Sequence, residues 1–178
     1  MLNKASMDCI FLLGIFGTVG VKSLSEFGIS KGRISELLNK NIIEKDSKII
    51  KHQKVVICYL SNKGKSIFNK YYSHFDIGNS RSRIHDYLHC VNVLKYVNSI
   101  EDLYTYTNEK RIRIKYGDKI RECESRLSIK ISCPDCSIVV NGKKIFIETL
   151  ITSGKAKTTA KKNFKFVMED GAELLILH

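Results

Sequence analysis

Two carboxylates in the second half of the chain have the spacing of a metal-binding pair. Asp135 precedes one apolar segment, Ser137–Val140, and Glu148 lies within the next, Ile145–Ile151. Both segments are predicted strands, and the Asn141-Gly142 dipeptide between them favours a tight hairpin because both residues tolerate positive φ. The hairpin would bring the two carboxylates together, and such a pair suits a hard cation such as Mg²⁺ or Mn²⁺.

The sequence around these acids resembles the PD-(D/E)XK nuclease fold, in Pro134-Asp135 and in the strand that carries Glu148. The resemblance implies that the two acids hold a divalent metal ion for hydrolysis of a phosphodiester. It also implies a lysine two residues after the second acid, which would stabilise the attacking water or the transition-state charge. Leu150 occupies that position. We therefore expect an inactive domain without catalytic residues or a cofactor, in which Asp135 caps a turn and Glu148 faces solvent. The alternative is an active site of Asp135, Glu148 and Lys155 (or Lys157) with Mg²⁺ or Mn²⁺.

Cysteine and histidine residues suggest two further metal hypotheses. Cys133 and Cys136 form a CxxC pair, which Cys123, His85 or His89 would have to complete as a zinc site. No second CxxC pair exists, so the sequence favours free structural thiols. His85 and His89 are one helical turn apart, a spacing that suits either a metal or a partly buried surface pair.

A basic helix near the N-terminus is predicted to contact duplex DNA. Ser30 is a good N-cap residue for a helix over Lys31–Asn39, whose apolar residues Ile34, Leu37 and Leu38 would face the core. A helix with small and polar residues on its other face fits the major groove. The predicted DNA-binding residues are Lys31, Arg33, Ser35, Asn39 and Lys40 of this helix and Lys48, Lys51, His52 and Lys54 of the hairpin that follows.

These side chains suggest different roles at the DNA. Arg33 suits a bidentate contact with guanine, while Ser35 and Asn39 would reach other base edges. The lysines would contact phosphates. Glu36 is discordant, because phosphate repels a carboxylate unless it accepts a hydrogen bond from cytosine. The alternative interpretation is a solvated helix face on a module that contacts only proteins.

Two segments of the first 72 residues resemble winged helix-turn-helix proteins. Residues 29–45 (ISKGRISELLNKNIIEK) are similar to the recognition helix and its exit, and residues 59–65 (YLSNKGK) are similar to the end of the wing. Together with the following His-containing helix (IHDYLH, residues 84–89), Pro134-Asp135 and the Glu148 strand, they resemble the replication-relaxation family of plasmid and mobile-element proteins. That resemblance implies a winged helix joined to a degenerate restriction-endonuclease-like domain.

The elements that must position these residues follow from the periodicity of the apolar side chains. A break at Ser73–Arg83 predicts two domains, a winged helix-turn-helix over 1–74 and an α/β domain over 80–178, and hence an α+β fold with a small mixed sheet. The predicted helices are Lys4–Phe16, Lys22–Phe27, Lys31–Asn39, Gly64–Tyr72, Ile84–Val97 and Thr158–Met168. The predicted strands are Ser47–Lys51, Lys54–Leu60, Asp102–Thr107, Arg111–Tyr116, Leu127–Ile131, Ser137–Val140, Ile145–Ile151 and Ala172–Leu177.

Composition limits the kind of partner. The 178 residues include 30 Lys and Arg against 18 Asp and Glu, a formal net charge of +12 that favours a polyanion, either nucleic acid or an acidic membrane surface. No apolar run is long enough to cross a bilayer, and Asp8 precedes the segment Cys9–Phe16 where a signal peptide would be positive. Six scattered cysteines are typical of a reducing compartment, so we expect a cytoplasmic protein without a membrane partner.

The sequence thus predicts a sequence-preferring protein that binds double-stranded DNA, either a transcriptional regulator or a replication or mobilisation accessory factor of a plasmid, phage or other mobile element. Because a single small module buries limited surface on DNA, a homodimer is expected. The alternatives are a metal-dependent DNA nuclease and a protein-interaction module.

Overall fold

The computed structural model describes residues 2–50, 52–78, 84–150 and 154–177, and these form an α+β fold. The chain divides into two compact units, Met1–Lys95 and Tyr96–His178. Of the predicted DNA-binding residues, Lys51 lies outside the described residues. No helix in the described part of the chain is both long and apolar enough to span a membrane.

The first unit consists of helices around one small antiparallel sheet. In chain order its elements are α1 (Lys4–Phe16), β1 (Val19–Gly20), α2 (Val21–Glu26), α3 (Lys31–Asn39), β2 (Ile43–Ile50), β3 (Gln53–Leu60), α4 (Asn62–Tyr71) and α5 (Ile84–Leu94). The strand order is β1-β3-β2. The predicted helices over residues 4–16 and 31–39 are confirmed with the same bounds.

Helix α1 is the central element of this unit. The Asn3 side chain caps it by accepting a hydrogen bond from the Ser6 amide at 3.0 Å, and every residue from Asp8 to Phe16 is buried. Phe11 packs against Tyr72 and Phe75, with ring centroids 5.0 and 5.1 Å apart. An apolar helix of this kind stabilises the unit mainly through burial of its side chains on all sides.

Strands β2 and β3 form a long hairpin. They pair over their whole length, from Ile43 opposite Leu60 to Ile50 opposite Gln53, and His52 in the turn has a φ of 65°. The hairpin therefore begins four residues before the predicted strand at Ser47. Only its base is three-stranded, because β1 pairs with β3 at Ile57 and Cys58 alone.

Helix α5 belongs to the first unit. The prediction placed it in the second domain, but the His89 ring packs edge-on against Phe16 of α1 at 6.1 Å, and the Tyr87 ring lies over Gly20. The division between the units therefore lies at Lys95, later in the chain than the predicted break at Ser73–Arg83. The apolar face of α5 is buried against α1 and β1, which explains the later boundary.

The second unit contains a mixed sheet with the order β4-β5-β6-β7, antiparallel except for the parallel pair β6 and β7. In chain order its elements are a 3₁₀ helix (Glu101–Thr105), β4 (Thr107–Asn108), α6 (Glu109–Leu127), β5 (Cys136–Val140), β6 (Lys143–Thr149), α7 (Lys155–Lys162), a second 3₁₀ helix (Asn163–Phe166) and β7 (Glu173–Leu177). The predicted hairpin at Asn141-Gly142 is confirmed, with φ of 51° and 76° at its two residues.

Three predicted strands in this unit are wrong. Arg111–Tyr116 lies inside α6, and Leu127–Ile131 contains the end of that helix and an irregular segment. The predicted strand Asp102–Thr107 is a 3₁₀ helix as far as Thr105. Helix α6 forms because Asn108 caps it, accepting from the Arg111 amide at 3.1 Å, and because apolar residues recur at helical spacing along it.

The core of the second unit lies between α6, the sheet and the segment after α7. Ile112, Tyr116 and Cys123 of α6 are buried on one helix face. The Tyr116 ring meets Phe146 of β6 and Phe164 of the second 3₁₀ helix edge-on, with centroids 5.8 and 5.6 Å apart. These contacts hold α6 and the second 3₁₀ helix against β6, the strand that carries Glu148.

Candidate DNA interface and acidic cluster

Helix α3 presents a polar face outward. Ser30 caps the helix as predicted, its hydroxyl accepting from the Arg33 amide at 3.2 Å. Ile34 and Leu37 are buried, whereas the side chains on the opposite face are exposed. The exposed residues of the helix face are Lys31, Gly32, Ser35 and Asn39, with Lys40 beside them at the C-cap.

Glu36 is paired with the two cations beside it on this helix. The Arg33 guanidinium donates to one oxygen of its carboxylate, and the Lys40 ammonium donates to the other at 2.6 Å. The hydrogen bond from Lys40, with the positive charge of Arg33 nearby, lowers the pKa of Glu36. In the sequence, Glu36 did not fit a helix face that contacts phosphates. In the structure, it orients two basic side chains on that helix.

The β2-β3 hairpin carries the remaining predicted DNA-binding residues. His52 and Lys54 are exposed near its tip. Lys48 is half-buried, and its ammonium lies 3.0 Å from the Asp46 carboxylate. The helix and the hairpin thus leave Lys31 and Lys54 open to solvent, while Arg33, Lys40 and Lys48 have acidic neighbours.

Asp135 and Glu148 converge with Lys161 in the second unit. Cys136 pairs with Ile147, so Asp135, the residue immediately before β5, lies opposite Glu148 of β6. The Lys161 ammonium, which α7 contributes, lies 2.7 Å from the Glu148 carboxylate and 3.9 Å from that of Asp135. We name these three residues the acidic cluster.

Backbone groups fix the geometry of the acidic cluster. The Thr149 amide donates to the Asp135 carboxylate at 2.9 Å, which holds that side chain over the β6 strand. Lys161 also donates to the Cys133 carbonyl at 2.5 Å. Exposed fractions are 3% for the Glu148 side chain, 7% for Lys161 and 15% for Asp135, so the cluster is largely withdrawn from water.

The cluster has one more negative than positive charge when all three groups are ionised. Burial and the neighbouring Asp135 carboxylate raise the pKa of Glu148 to about 7, although the Lys161 ammonium opposes the shift. Desolvation disfavours the ionised form of a buried acid, and a second carboxylate nearby disfavours it further. An additional cation, whether a proton or a metal ion, would therefore stabilise the cluster.

The lysine of this cluster is not the one that the sequence indicated. Lys155 and Lys157 are exposed, and the structure does not bring either to the carboxylates. Lys161 lies on the buried side of α7 with Ala160, which precedes buried Phe164. In a helix, Lys161 lies on the same side as Ala160 and Phe164, and this spacing was the signal in the sequence that pointed to Lys161. Glu148 is buried and Asp135 bonds a backbone amide, so the expectation of a solvent-facing Glu148 is wrong.

The described residues do not bring the cysteine and histidine side chains together as a set of metal ligands. All six cysteines are free and buried. Among the described residues, no group of three or more His, Cys, Asp or Glu side chains is arranged to hold a metal ion. The His85 and His89 rings stack with centroids 6.5 Å apart, and His89 is buried against Phe16. Asp135 and Glu148 therefore remain the carboxylate pair suited to a cation.

Comparison with protein-family models, curated proteins and solved structures finds no match to this chain. Function is therefore inferred from the geometry of α3, the β2-β3 hairpin and the acidic cluster.

Proposed function

We propose that the chain is a sequence-preferring duplex DNA-binding protein of the winged helix-turn-helix type. Helix α3 would enter the major groove and the β2-β3 hairpin would serve as the wing. The main support for this proposal is that α3 packs on buried Ile34 and Leu37 and exposes a face without bulky apolar side chains. Such a face permits close approach to base edges.

Residue roles follow from what each side chain contacts in the free protein. Lys31 is exposed at the N-terminal end of α3, where both its charge and the helix dipole suit a phosphate. Ser35 and Asn39 are exposed one turn apart and would contact base edges. Arg33 would reach a base or phosphate by exchanging its bond to Glu36 for the DNA. The net charge of +12 supports association with a polyanion.

The biological role that fits this activity is that of a transcriptional regulator, or of an accessory factor in the replication or mobilisation of a plasmid, phage or other mobile element. Two copies of the chain would bind the DNA together.

The test is selection of bound sequences from a random duplex pool, followed by the same selection with Asn39→Ala. We expect an enriched motif for the wild type and relaxed preference at one position of that motif for the variant. Recovery of no motif, with no binding to the pool, would contradict the proposal.

A second candidate function is metal-dependent DNA cleavage at the acidic cluster. Lys161 favours it, because this residue places a buried ammonium beside the two carboxylates, although Leu150 occupies the lysine position that the resemblance implies. The donor set fits a hard cation, since Mg²⁺ is commonly held by one or two carboxylates. Asp135 and Glu148 would bind the ion, while Lys161 would hold Glu148 in place and lend positive charge to a phosphate. When bound, Mg²⁺ or Mn²⁺ would supply Lewis-acid stabilisation and an activated water.

Plasmid nicking tests this candidate. We expect conversion of supercoiled DNA to the open form with Mg²⁺ or Mn²⁺, and its loss in Glu148→Gln and Asp135→Asn. Lys155→Ala is the matched control, because Lys155 is exposed on the same helix as Lys161. Circular dichroism shows whether each variant is folded. Absence of nicking with both metals, or nicking that survives in folded Glu148→Gln, would remove the candidate.

A further inference from the structure

The outer half of the β2-β3 hairpin is a two-stranded ribbon with two chemically different faces. Side chains alternate between the faces along each strand, and the register places Ser47 opposite Val56 and Ile49 opposite Lys54. One face therefore carries Lys45, Ser47 and Ile49 from β2 and Lys54 and Val56 from β3. We name it the Ile49 face.

All five side chains of the Ile49 face are exposed, with 76% of Ile49 and 37% of Val56 open to solvent. The reverse face is more covered: Asp46, Lys48, Ile50 and Val55 are all half-buried. Ile49 and Val56 are diagonal neighbours across the two strands, so they form a small apolar patch. Lys54 borders this patch directly, and Lys45 lies farther along β2.

Charge separates the two faces as clearly as burial does. Both carboxylates of the hairpin, Glu44 and Asp46, belong to the reverse face, where Asp46 pairs with Lys48. The Ile49 face carries Lys45 and Lys54 and no acid, and neither lysine forms an ion pair within the described ranges. A polyanion is thus attracted to one face and repelled from the carboxylates of the other.

We propose that the Ile49 face is the DNA-contacting side of the wing, with Ile49 and Val56 against the sugar walls of the minor groove and Lys45 and Lys54 on the flanking phosphates. This inference rests on the proposed DNA binding and adds to it Lys45, Ile49 and Val56. It also assigns Lys48 to the opposite side. Apolar side chains are used in minor-groove contacts because the groove walls are largely deoxyribose carbon, and phosphates on both rims attract lysine.

Two matched pairs of substitutions test the assignment. Ile49→Ala and Ile50→Ala remove the same side chain from adjacent positions on opposite faces, and Lys45→Ala and Lys48→Ala do the same for charge. Binding is measured by fluorescence anisotropy with a labelled mixed-sequence duplex at several salt concentrations. Because Ile49 is exposed, Ile49→Ala is expected to leave the melting temperature unchanged.

The expected results separate apolar from ionic contacts. Ile49→Ala lowers affinity about 10-fold with an unchanged salt slope, since no counterion is released at an apolar contact. Lys45→Ala reduces the slope by about one, and Lys48→Ala and Ile50→Ala bind as the wild type does. A minor-groove-binding polyamide competes with the wild-type protein and competes less effectively with Ile49→Ala.

These variants distinguish loss of the wing contact from loss of DNA binding altogether. Wild-type affinity in Ile49→Ala and Lys45→Ala, together with weakened binding in Lys31→Ala, would overturn the Ile49 face while leaving DNA binding by α3 in place. Loss of dimerisation in Ile49→Ala, without loss of DNA affinity by the monomer, would assign the face to a second copy of the chain and overturn it as well. Absence of any duplex binding by the wild type would remove both proposals.

Discussion

The ammonium of Lys161 lies 2.7 Å from the carboxylate of Glu148, and both side chains are more than nine-tenths buried. The contact joins α7 to β6 and leaves Asp135, 3.9 Å from the same ammonium, as the second acid of the group. Burial of charged groups costs free energy that their mutual attraction only partly offsets. A cluster of this kind is therefore weak evidence for stability and stronger evidence for a role in chemistry or binding.

Removal of Lys161 should destabilise the second unit. Lys161→Met leaves Glu148 buried without its cation, a change that typically costs about 3–5 kcal/mol of unfolding free energy. Urea denaturation followed by circular dichroism measures the loss. Addition of Glu148→Gln to Lys161→Met should recover a large part of it, because the uncompensated carboxylate is then absent.

Lys162→Met is the matched control for this experiment, since Lys162 is exposed on the next position of the same helix. We expect it to change the free energy of unfolding by less than about 0.5 kcal/mol. Equal effects of the two substitutions, or no recovery in the double variant, would show that the buried pair does not determine the stability of this region.

Two helical glycines should respond in opposite directions to alanine. A Cβ at Gly64 in α4 would lie 2.2 Å from the Ile42 carbonyl, so Gly64→Ala should cost about 1–3 kcal/mol. At Gly32 in α3 the nearest atom is the Ser30 hydroxyl at 3.9 Å, so Gly32→Ala should add roughly 0.5–1 kcal/mol by favouring the helix. Thermal melting gives both values.

Gly32→Ala also tests DNA binding, since Gly32 is on the exposed face of α3. The methyl group stands where the helix would approach base edges, so we expect weaker duplex binding from a more stable protein. Stronger or unchanged DNA affinity in this variant would count against α3 as the helix that enters the groove.

Glu169 should contribute to stability in acid. Partial burial opposes its ionisation, but hydrogen bonds from Lys115 and Tyr116, with Lys144 nearby, lower its pKa from 4.5 to about 2. A lowered pKa in the folded state means that the contribution is complete above about 4.5 and is lost as the pH falls towards 2. Melting temperatures across this interval should fall less steeply for Glu169→Gln than for the wild type.

The control for Glu169→Gln is Glu122→Gln, at an exposed position of α6. Glu122→Gln leaves intact the contacts of Glu169 with Lys115 at 2.8 Å and with Lys144 at 3.4 Å. Its melting temperatures should therefore follow the wild-type pH dependence. Parallel curves for the wild type and both variants would show that the Glu169 contacts do not stabilise the fold.

Capping and turn residues in the sequence correctly predicted the helix and the hairpin in which they occur. Ser30 marked the start of α3, and Asn141-Gly142 marked the β5-β6 hairpin, because capping and positive φ are properties of single residues. The IRIKY segment of α6 alternates like a strand, but Ile112 and Tyr116 are four residues apart, and burial of that helical face decided the outcome. In such a segment, burial of one helix face in the tertiary structure outweighs the local alternation of apolar and polar residues.

The candidate site was predictable only in part, for a related reason. Asp135 and Glu148 could be brought together from the sequence because a tight hairpin fixes their register. Lys161 was missed, because it comes from α7, and the only sequence signal for it was its helical phase relative to the apolar residues Ala160 and Phe164. The choice between the two faces of the β2-β3 hairpin likewise required the burial and pairing of its side chains.

The salt dependence of duplex binding decides whether the exposed face of α3 contacts DNA. Titration of a labelled duplex with the whole chain, and with Lys31→Ala and Lys70→Ala, gives the slope of log affinity against log salt concentration. We predict a steep negative slope for the wild type, reduced by about one in Lys31→Ala and unchanged in Lys70→Ala, whose lysine lies exposed on α4. A wild-type protein that does not bind duplex DNA at low salt, or whose binding is independent of salt and of Lys31, would rule out DNA recognition by α3.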